Sequence, residues 1–278
     1  MVKMFLDDDF AVYVYEKHIE AIIKRFKKEK RFPCYSVGKL VYGCNRRNFY
    51  IIKDMFDGVQ ENWDRESIIR MVMGTVLHDA FVMSDKAEWH IEYKNIFGHI
   101  DEYFPEARIL VEKKTTLEEI PGWKQTKAKT GQKFLYLPTE EWENQLRYYY
   151  LLLQKGIDVK TKKPTNPDGV DMVKRVYVVY YQPSLESLMQ PYIVPVPMVG
   201  PKWEIPFIEH ELLSKKREIE ECLKKGTVPP RTINPNKCAV CPYMYRCFYE
   251  DGGSELPESL KYQLGARVPE VVAQEFEG

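Results

Sequence analysis

The chain has 278 residues, 44% apolar and 13% aromatic, enough to bury a sizeable core and to exclude a disordered or fibrous polymer. Its 41 basic and 41 acidic side chains balance to a formal net charge of zero, so affinity for a polyanion must come from a local patch and not from a global field. No run of about 18 uncharged apolar residues occurs, and Asp7-Asp8-Asp9 near the start lacks the basic-then-apolar order of a secretion signal, so the expectation is a soluble, cytoplasmic protein with no membrane partner.

Residues 10 to 30 are expected to form a helix whose basic run, from Lys24 to Arg31, is a solvated face. Ser36 then predicts the N-cap of a helix with Val37, Leu40, Val41, Cys44, Ile51, Ile52 and Met55 on one stripe, stopping at Gly58 and leaving Cys44 on the buried side. A further helix is predicted from about Glu66 to Met83, apolar on two faces, one of them carrying Met71, His78 and Val82. From Trp89 to Thr116 the pattern changes to short alternating runs with a turn near Pro105-Glu106, as in a meander within a sheet. Residues 117 to 138 read as an irregular, lysine-rich connection, and Thr139 caps a helix whose Trp142, Leu146, Tyr149, Tyr150 and Leu153 make an apolar stripe ending before Gly156. Strands are predicted over 172–181 and, more weakly, 191–198; a charged amphipathic helix follows over about 207–225, then a proline-marked boundary, a cysteine-rich end and a tail.

The chemistry concentrates in the meander. Leu110, Glu112 and Lys114 share one strand face, because side chains alternate with a period of two. Asp101 joins that face if it pairs opposite Leu110 or Glu112, and leaves it if it pairs with Val111, so function depends on register. Cleaving a phosphodiester needs a hard divalent cation to bind the non-bridging oxygen and activate a water, and carboxylates such as Asp101 and Glu112 are the ligands Mg2+ or Mn2+ prefers. Lys114 could orient the water, the Lys113 carbonyl is a further candidate ligand, and His78 could add a nitrogen that favours Mn2+. Gln145 and Tyr149, four residues apart, lie together at the edge of their helix. By itself the acidic triplet also fits a solvated strand end with a surface ion pair.

Six cysteines in a reducing compartment serve more readily as ligands or core residues than as disulfides. Cys238, Cys241 and Cys247 form a C-x2-C-x5-C arrangement that needs a fourth ligand, for which Cys44 and Cys34 compete. Thiolates suit either zinc or an iron-sulfur cluster, and spacing does not separate the two. Cys222 reads as a packing residue on its helix.

Taken in order, Cys44-Asn45-Arg46-Arg47, His78, Gly98-His99-Ile100-Asp101, Glu112-Lys113-Lys114, Gln145 with Tyr149, and Cys238, Cys241 and Cys247 resemble the iron-sulfur branch of the RecB-like nucleases, and within it the CRISPR-associated Cas-four exonuclease family. The resemblance spans about residues 36 to 250 and rests on the ordered combination. It implies an α/β fold of the PD-(D/E)xK, restriction-endonuclease-like type: a mixed sheet flanked by helices, with an iron-sulfur-stapled C-terminal subdomain. It also implies a Mg2+ or Mn2+ site at His78, Asp101, Glu112 and the Lys113 carbonyl, with Lys114 catalytic and Gln145 and Tyr149 positioning the DNA. A 4Fe-4S cluster would be held by Cys44, Cys238, Cys241 and Cys247, Cys44 being favoured over Cys34 because Arg46, Arg47, Phe49 and Tyr50 follow it as in the family. Asn45 stands where the family commonly has proline.

The function so implied is metal-dependent trimming of single-stranded DNA ends. If the chain serves CRISPR spacer acquisition, integrase proteins would be partners, and relatives leave room for a homo-oligomer. A zinc-stapled nucleic-acid-binding module without catalysis is the alternative. The expected organisation is an N-terminal helical region over 1–65 contributing one cysteine, a nuclease core over 66–200, a helix and cysteine-rich region over 201–250, and a tail over 251–278.

Overall fold

The computed structural model describes residues 34–59, 74–76, 80–115, 140–181, 191–233, 235–238 and 241–250. The expected helix over 10–30, most of the helix over 66–83 including His78, the lysine-rich connection, Thr139 and the tail lie outside these residues.

Two mixed four-stranded sheets are flanked by helices. In the first, a short strand β1 (Tyr35–Ser36) lies parallel to β3 (Ile96–Ile100), which pairs antiparallel with β2 (Trp89–Tyr93), and β2 in turn with β6 (Ile157–Asp158). In the second, β4 (Glu102–Phe104) runs antiparallel to β5 (Ile109–Thr115), β5 parallel to β7 (Arg175–Tyr181), and β7 antiparallel to β8 (Tyr192–Val196). Lys94 and Asn95, both with positive φ (48° and 60°), make the two-residue turn that joins β2 to β3 and matches the twist of a hairpin. The turn expected near Pro105 closes β4 onto β5, with the Arg108 N–H donating to the Pro105 carbonyl at 3.2 Å. The chain passes from the first sheet to the second at Asp101, between the end of β3 and the start of β4.

Helix α3 (Glu140–Lys155), which follows α1 (Val37–Leu40) and α2 (Asn45–Phe56) in the chain, is the centre of the core. The sequence gives it one apolar stripe, but in the fold it is buried almost all round, from Leu146 through Leu153. One side packs on Ile91, Ile100 and Leu110 of the strands; the other meets Ile208, Leu212 and Ile219 of α4 (Ile205–Lys225). Its polar residues on that second side are consumed there. Arg147 donates to Glu211 at 2.5 Å and to Asn144 Oδ1 at 2.8 Å, and Tyr148 Oη donates to Glu211 at 2.7 Å.

Two glycines set how closely α3 approaches the first sheet. A Cβ on Gly98 would lie 2.4 Å from Leu152 Cδ2 and 3.3 Å from the Tyr149 ring, so the bare backbone of β3 lets α3 settle against it. At Gly156 a Cβ would meet the Leu152 carbonyl oxygen and Ile91 Cγ2 at 2.5 Å each, and the Glu92 carbonyl oxygen at 3.0 Å. Gly156→Ala is therefore expected to push α3 from β2 and to cost about 2 kcal/mol, read as a Tm lowered by several degrees in thermal denaturation.

The single helix expected from Ser36 to Gly58 is two. Helix α1 (Val37–Leu40) ends, and α2 (Asn45–Phe56) begins after Cys44, whose backbone is extended (φ −86°, ψ 107°). Side chains take the carbonyls that a continuous helix would have used: Asn144 Nδ2 donates to Val41 O at 2.9 Å, Asn48 Nδ2 to Tyr42 O at 3.0 Å, and Lys215 Nζ to Tyr42 O at 3.4 Å. The stop at Gly58 holds, with a left-handed φ of 70°. The break moves Cys44 from a buried helical stripe to the half-buried N-cap position of α2. The following predicted helix also ends early: Ala80 is helical, but Phe81 to Met83 are not.

Candidate active site and cysteine cavity

Glu102 pairs with Val111 and Tyr103 with Leu110, so the same register carried back one residue sets Asp101 against Glu112. Of the registers the sequence left open, this one brings both carboxylates to the face that looks toward α3. The Lys113 backbone N–H donates to Asp101 Oδ2 at 2.7 Å and fixes that carboxylate across the strand pair. Lys114, two residues beyond Glu112, contacts the Glu112 carboxylate and donates to Gln145 Oε1 at 3.1 Å; Gln145 Nε2 in turn donates to Tyr149 Oη at 3.0 Å. A single polar chain thus runs from Glu112 through Lys114 and Gln145 to Tyr149, from β5 onto the first turns of α3.

Glu112 is 1% exposed and Asp101 7%. Burial, followed by repulsion from Asp101, pushes the Glu112 carboxyl up to about 8 against the partial relief given by Lys114. Tyr149 is likewise raised, by burial first and then by Glu112 and Asp101. Glu112 Oε2 is buried and, among the described residues, has no hydrogen-bond partner, an arrangement that is costly unless a cation completes it. Among the described residues no three His, Cys, Asp or Glu side chains are drawn together closely enough to hold a metal ion; His78 lies outside them.

The raised Glu112 has a measurable consequence in the metal-free protein. Its folded pKa lies above that of the unfolded chain, so the folded state holds the extra proton and stability falls as pH rises from about 4.5 to about 8. Glu112→Gln removes the ionisable group. In the presence of a chelator, its stability relative to the parent, followed as Tm, is expected to rise with pH through that window, by on the order of a few kcal/mol at the alkaline end.

Two side-chain pairs around these strands escaped the sequence reading, which named Lys113 only for its carbonyl. On the opposite face of the same strands Lys113 Nζ meets Glu102 Oε1 at 2.8 Å, both side chains fully buried. The period-two rule that put Glu112 and Lys114 forward also sends Lys113 to the back, and Glu102 opposite Val111 follows it there. At the rim, the Glu88 N–H donates to the Asp101 carbonyl at 3.0 Å, and the Glu88 carboxylate pairs with His99 Nε2 at 2.6 Å. That hydrogen bond is the main reason His99 is raised, whereas burial lowers His90, whose ring centre is 4.1 Å from that of His99.

The cysteines of the two chain ends line one cavity. Cys44, Cys238, Cys241 and Cys247 border a cavity of about 360 Å³, counted to its open mouth, together with Arg46, Arg47, Tyr50, Arg231 and Tyr243. Cys34, beside β1, is not among its lining, and Cys222 packs against the core from α4. Buried Arg46 donates to the Pro229 carbonyl at 2.6 Å, and through Nη1 to the carbonyl and sulfur of Cys247 at 3.2 and 3.7 Å. Arg231 Nη2 reaches the same carbonyl at 2.8 Å, and Arg47 lies over the Tyr42 ring at 3.7 Å with its Nε buried and, among the described residues, unpartnered. Burial raises the Cys241 thiol, as do neighbouring Cys44 and Cys238, while Arg47 pulls it down. Arg46, Arg47 and Arg231 thus place three guanidinium groups in the lining beside the four sulfurs.

No protein-family model matches this chain, and no curated protein does. Among solved structures, the crystal structure of SSO0001 is similar with a TM-score of 0.43 and 14% identity, over 88% of this chain and 98% of that one.

Proposed function

We propose that this chain is a Mg2+- or Mn2+-dependent deoxyribonuclease acting on single-stranded DNA ends. The observation that carries the reading is the cross-strand pair Asp101 and Glu112, buried on one face with an unpartnered Glu112 oxygen and with Lys114 held beside it. Asp101, Glu112 and the Lys113 carbonyl, with His78 as the expected nitrogen donor, would hold the ion. A cation bound there supplies a Lewis acid for the phosphoryl oxygen and lowers the pKa of an attacking water.

The chain's own groups do the rest. Burial first, and then repulsion from Asp101, keeps a proton on Glu112, and a cation bound between the two carboxylates would offset both effects. Lys114, steered by Glu112 on one side and Gln145 on the other, presents an ammonium donor to the water or to the scissile phosphate. Tyr149 fixes Gln145 and, through it, Lys114. Removing Gln145 would free Lys114 without removing its charge.

The proposal includes a 4Fe-4S cluster at Cys44, Cys238, Cys241 and Cys247. Its support is that thiols about two hundred residues apart share one cavity ringed by Arg46, Arg47 and Arg231. Such a cluster would staple α2 to the C-terminal segment. Integrase proteins as partners rest on the family resemblance alone.

The test is degradation of end-labelled single-stranded DNA by anaerobically purified protein with Mn2+, Mg2+ or a chelator. Loss of label with Mn2+ and none with the chelator is expected. Intact DNA at all metal concentrations would remove the nuclease reading.

A further inference from the structure

We propose that the buried ion pair between Glu102 and Lys113, on the face of β4 and β5 turned away from the carboxylates, is a positioning device for the metal centre; the inference rests on the nuclease reading above. Neither side chain has any exposure. Glu102 is fully engaged: Oε1 accepts from Lys113 Nζ at 2.8 Å and from the Met83 N–H at 3.0 Å, and Oε2 accepts from Ser84 Oγ at 2.7 Å. Lys113 Nζ also donates to the Phe81 carbonyl at 3.2 Å. Two charges on adjacent strands therefore tie down the segment from Phe81 to Ser84, whose Phe81 ring stacks on Tyr181 of β7 with centres 5.0 Å apart and planes at 12°.

Stability alone is a poor reason for such a pair. The desolvation of two buried ions offsets most of their attraction, and apolar residues of similar volume would hold the sheet to its back layer as well. What the ions add is direction. Strand alternation sends Asp101 and Glu112 to the front and Glu102 and Lys113 to the back. A directional anchor behind the sheet thus sets the rotation of both backbones that carry the front carboxylates. Lys113 does this most directly: its side chain is fixed behind, while its backbone N–H holds Asp101 Oδ2 at 2.7 Å in front. The same ion pair governs the main chain whose carbonyl is the candidate third oxygen ligand. Partners of this kind, one step from the ligands, commonly change metal affinity by about 10- to 100-fold when lost.

The test separates position from stability by comparing Lys113→Met, the double variant Glu102→Met with Lys113→Met, and the parent, in thermal denaturation and in Mn2+ titration followed by electron paramagnetic resonance. The single variant strands a buried carboxylate and should lose much of its Tm. The double variant should recover a Tm near the parent's and still bind Mn2+ about tenfold or more weakly. A double variant that binds Mn2+ as the parent does would overturn the proposal. Should that variant not fold, Glu102→Gln, which keeps an oxygen acceptor for Met83 and Ser84, is measured instead; weakened Mn2+ binding supports the proposal and unchanged binding overturns it. A parent protein that binds no Mn2+ fails at the centre itself, a result distinct from both.

Discussion

Asp101→Ala and Glu112→Ala are each expected to lower Mn2+-dependent degradation of single-stranded DNA on the order of a thousandfold or more, to the level of the chelated protein. The two losses have different local causes. Without Asp101, the hydrogen bond from the Lys113 N–H to its carboxylate is lost, and a bound cation would lack one of the two charged ligands proposed on this face. Without Glu112, Lys114 keeps Gln145 but loses the carboxylate that aims it, so the ammonium and the cation site fail together. Asp101→Asn is informative because it keeps an acceptor for Lys113 while removing the charge. It should fold like the parent and still be inactive. In every variant the visible colour of the cysteine-bound centre should persist, because none of these residues borders the cysteine cavity. Undiminished cleavage by both alanine variants would remove the active site proposed here.

The second large effect concerns the four cysteines proposed to hold a cluster. Anaerobically purified parent protein is expected to be brown, with a broad absorbance at about 400 nm, and Cys44→Ser, Cys238→Ser, Cys241→Ser or Cys247→Ser should each abolish or strongly diminish it. Cys34→Ser and Cys222→Ser should not, since neither residue lines the cavity. Loss of the centre should also lower Tm well beyond the effect of a Cys→Ser change elsewhere, because a ligand set drawn from both ends of the chain makes binding energy part of folding energy. Arg46 and Arg231, which both donate to the Cys247 carbonyl, hold part of that joint without the centre. The cysteine variants are therefore expected to be loosened and not unfolded. A colourless parent that carries zinc would contradict the iron-sulfur assignment while leaving the staple.

Much of this arrangement could be read from residue order. The turn at Pro105, the shared face of Leu110, Glu112 and Lys114, and the helix that brings Gln145 and Tyr149 to one edge all follow from local periodicity and appear in the fold, whereas the single meander expected over Trp89 to Thr116 is two hairpins in different sheets, parted at Asp101. The register of Asp101 did not follow from it. It depends on where β4 meets β5, and the sequence allowed partners on either face; pairing of Glu102 with Val111 decides it. The helix break before Cys44 was hidden for a similar reason. Val41 and Tyr42 are acceptable in a helix, and what ends it is a set of distant donors, Asn144, Asn48 and Lys215, that no local pattern announces. The all-round burial of α3 was likewise set by α4, more than sixty residues later, through Arg147, Tyr148 and Glu211. Lys113 was put forward for its carbonyl alone, and its side-chain pairing with Glu102 was missed because a charged residue in a strand is first assigned to solvent; only tertiary packing shows the two meeting inside.

The central claim is that Asp101 and Glu112 hold one divalent cation on a common face, and Mn2+ titration followed by electron paramagnetic resonance tests it without requiring turnover. The parent should take up one Mn2+ tightly at this centre, and the Asp101→Asn, Glu112→Gln double variant should lose that ion while keeping its fold. Equal Mn2+ uptake by the parent and the double variant would contradict it.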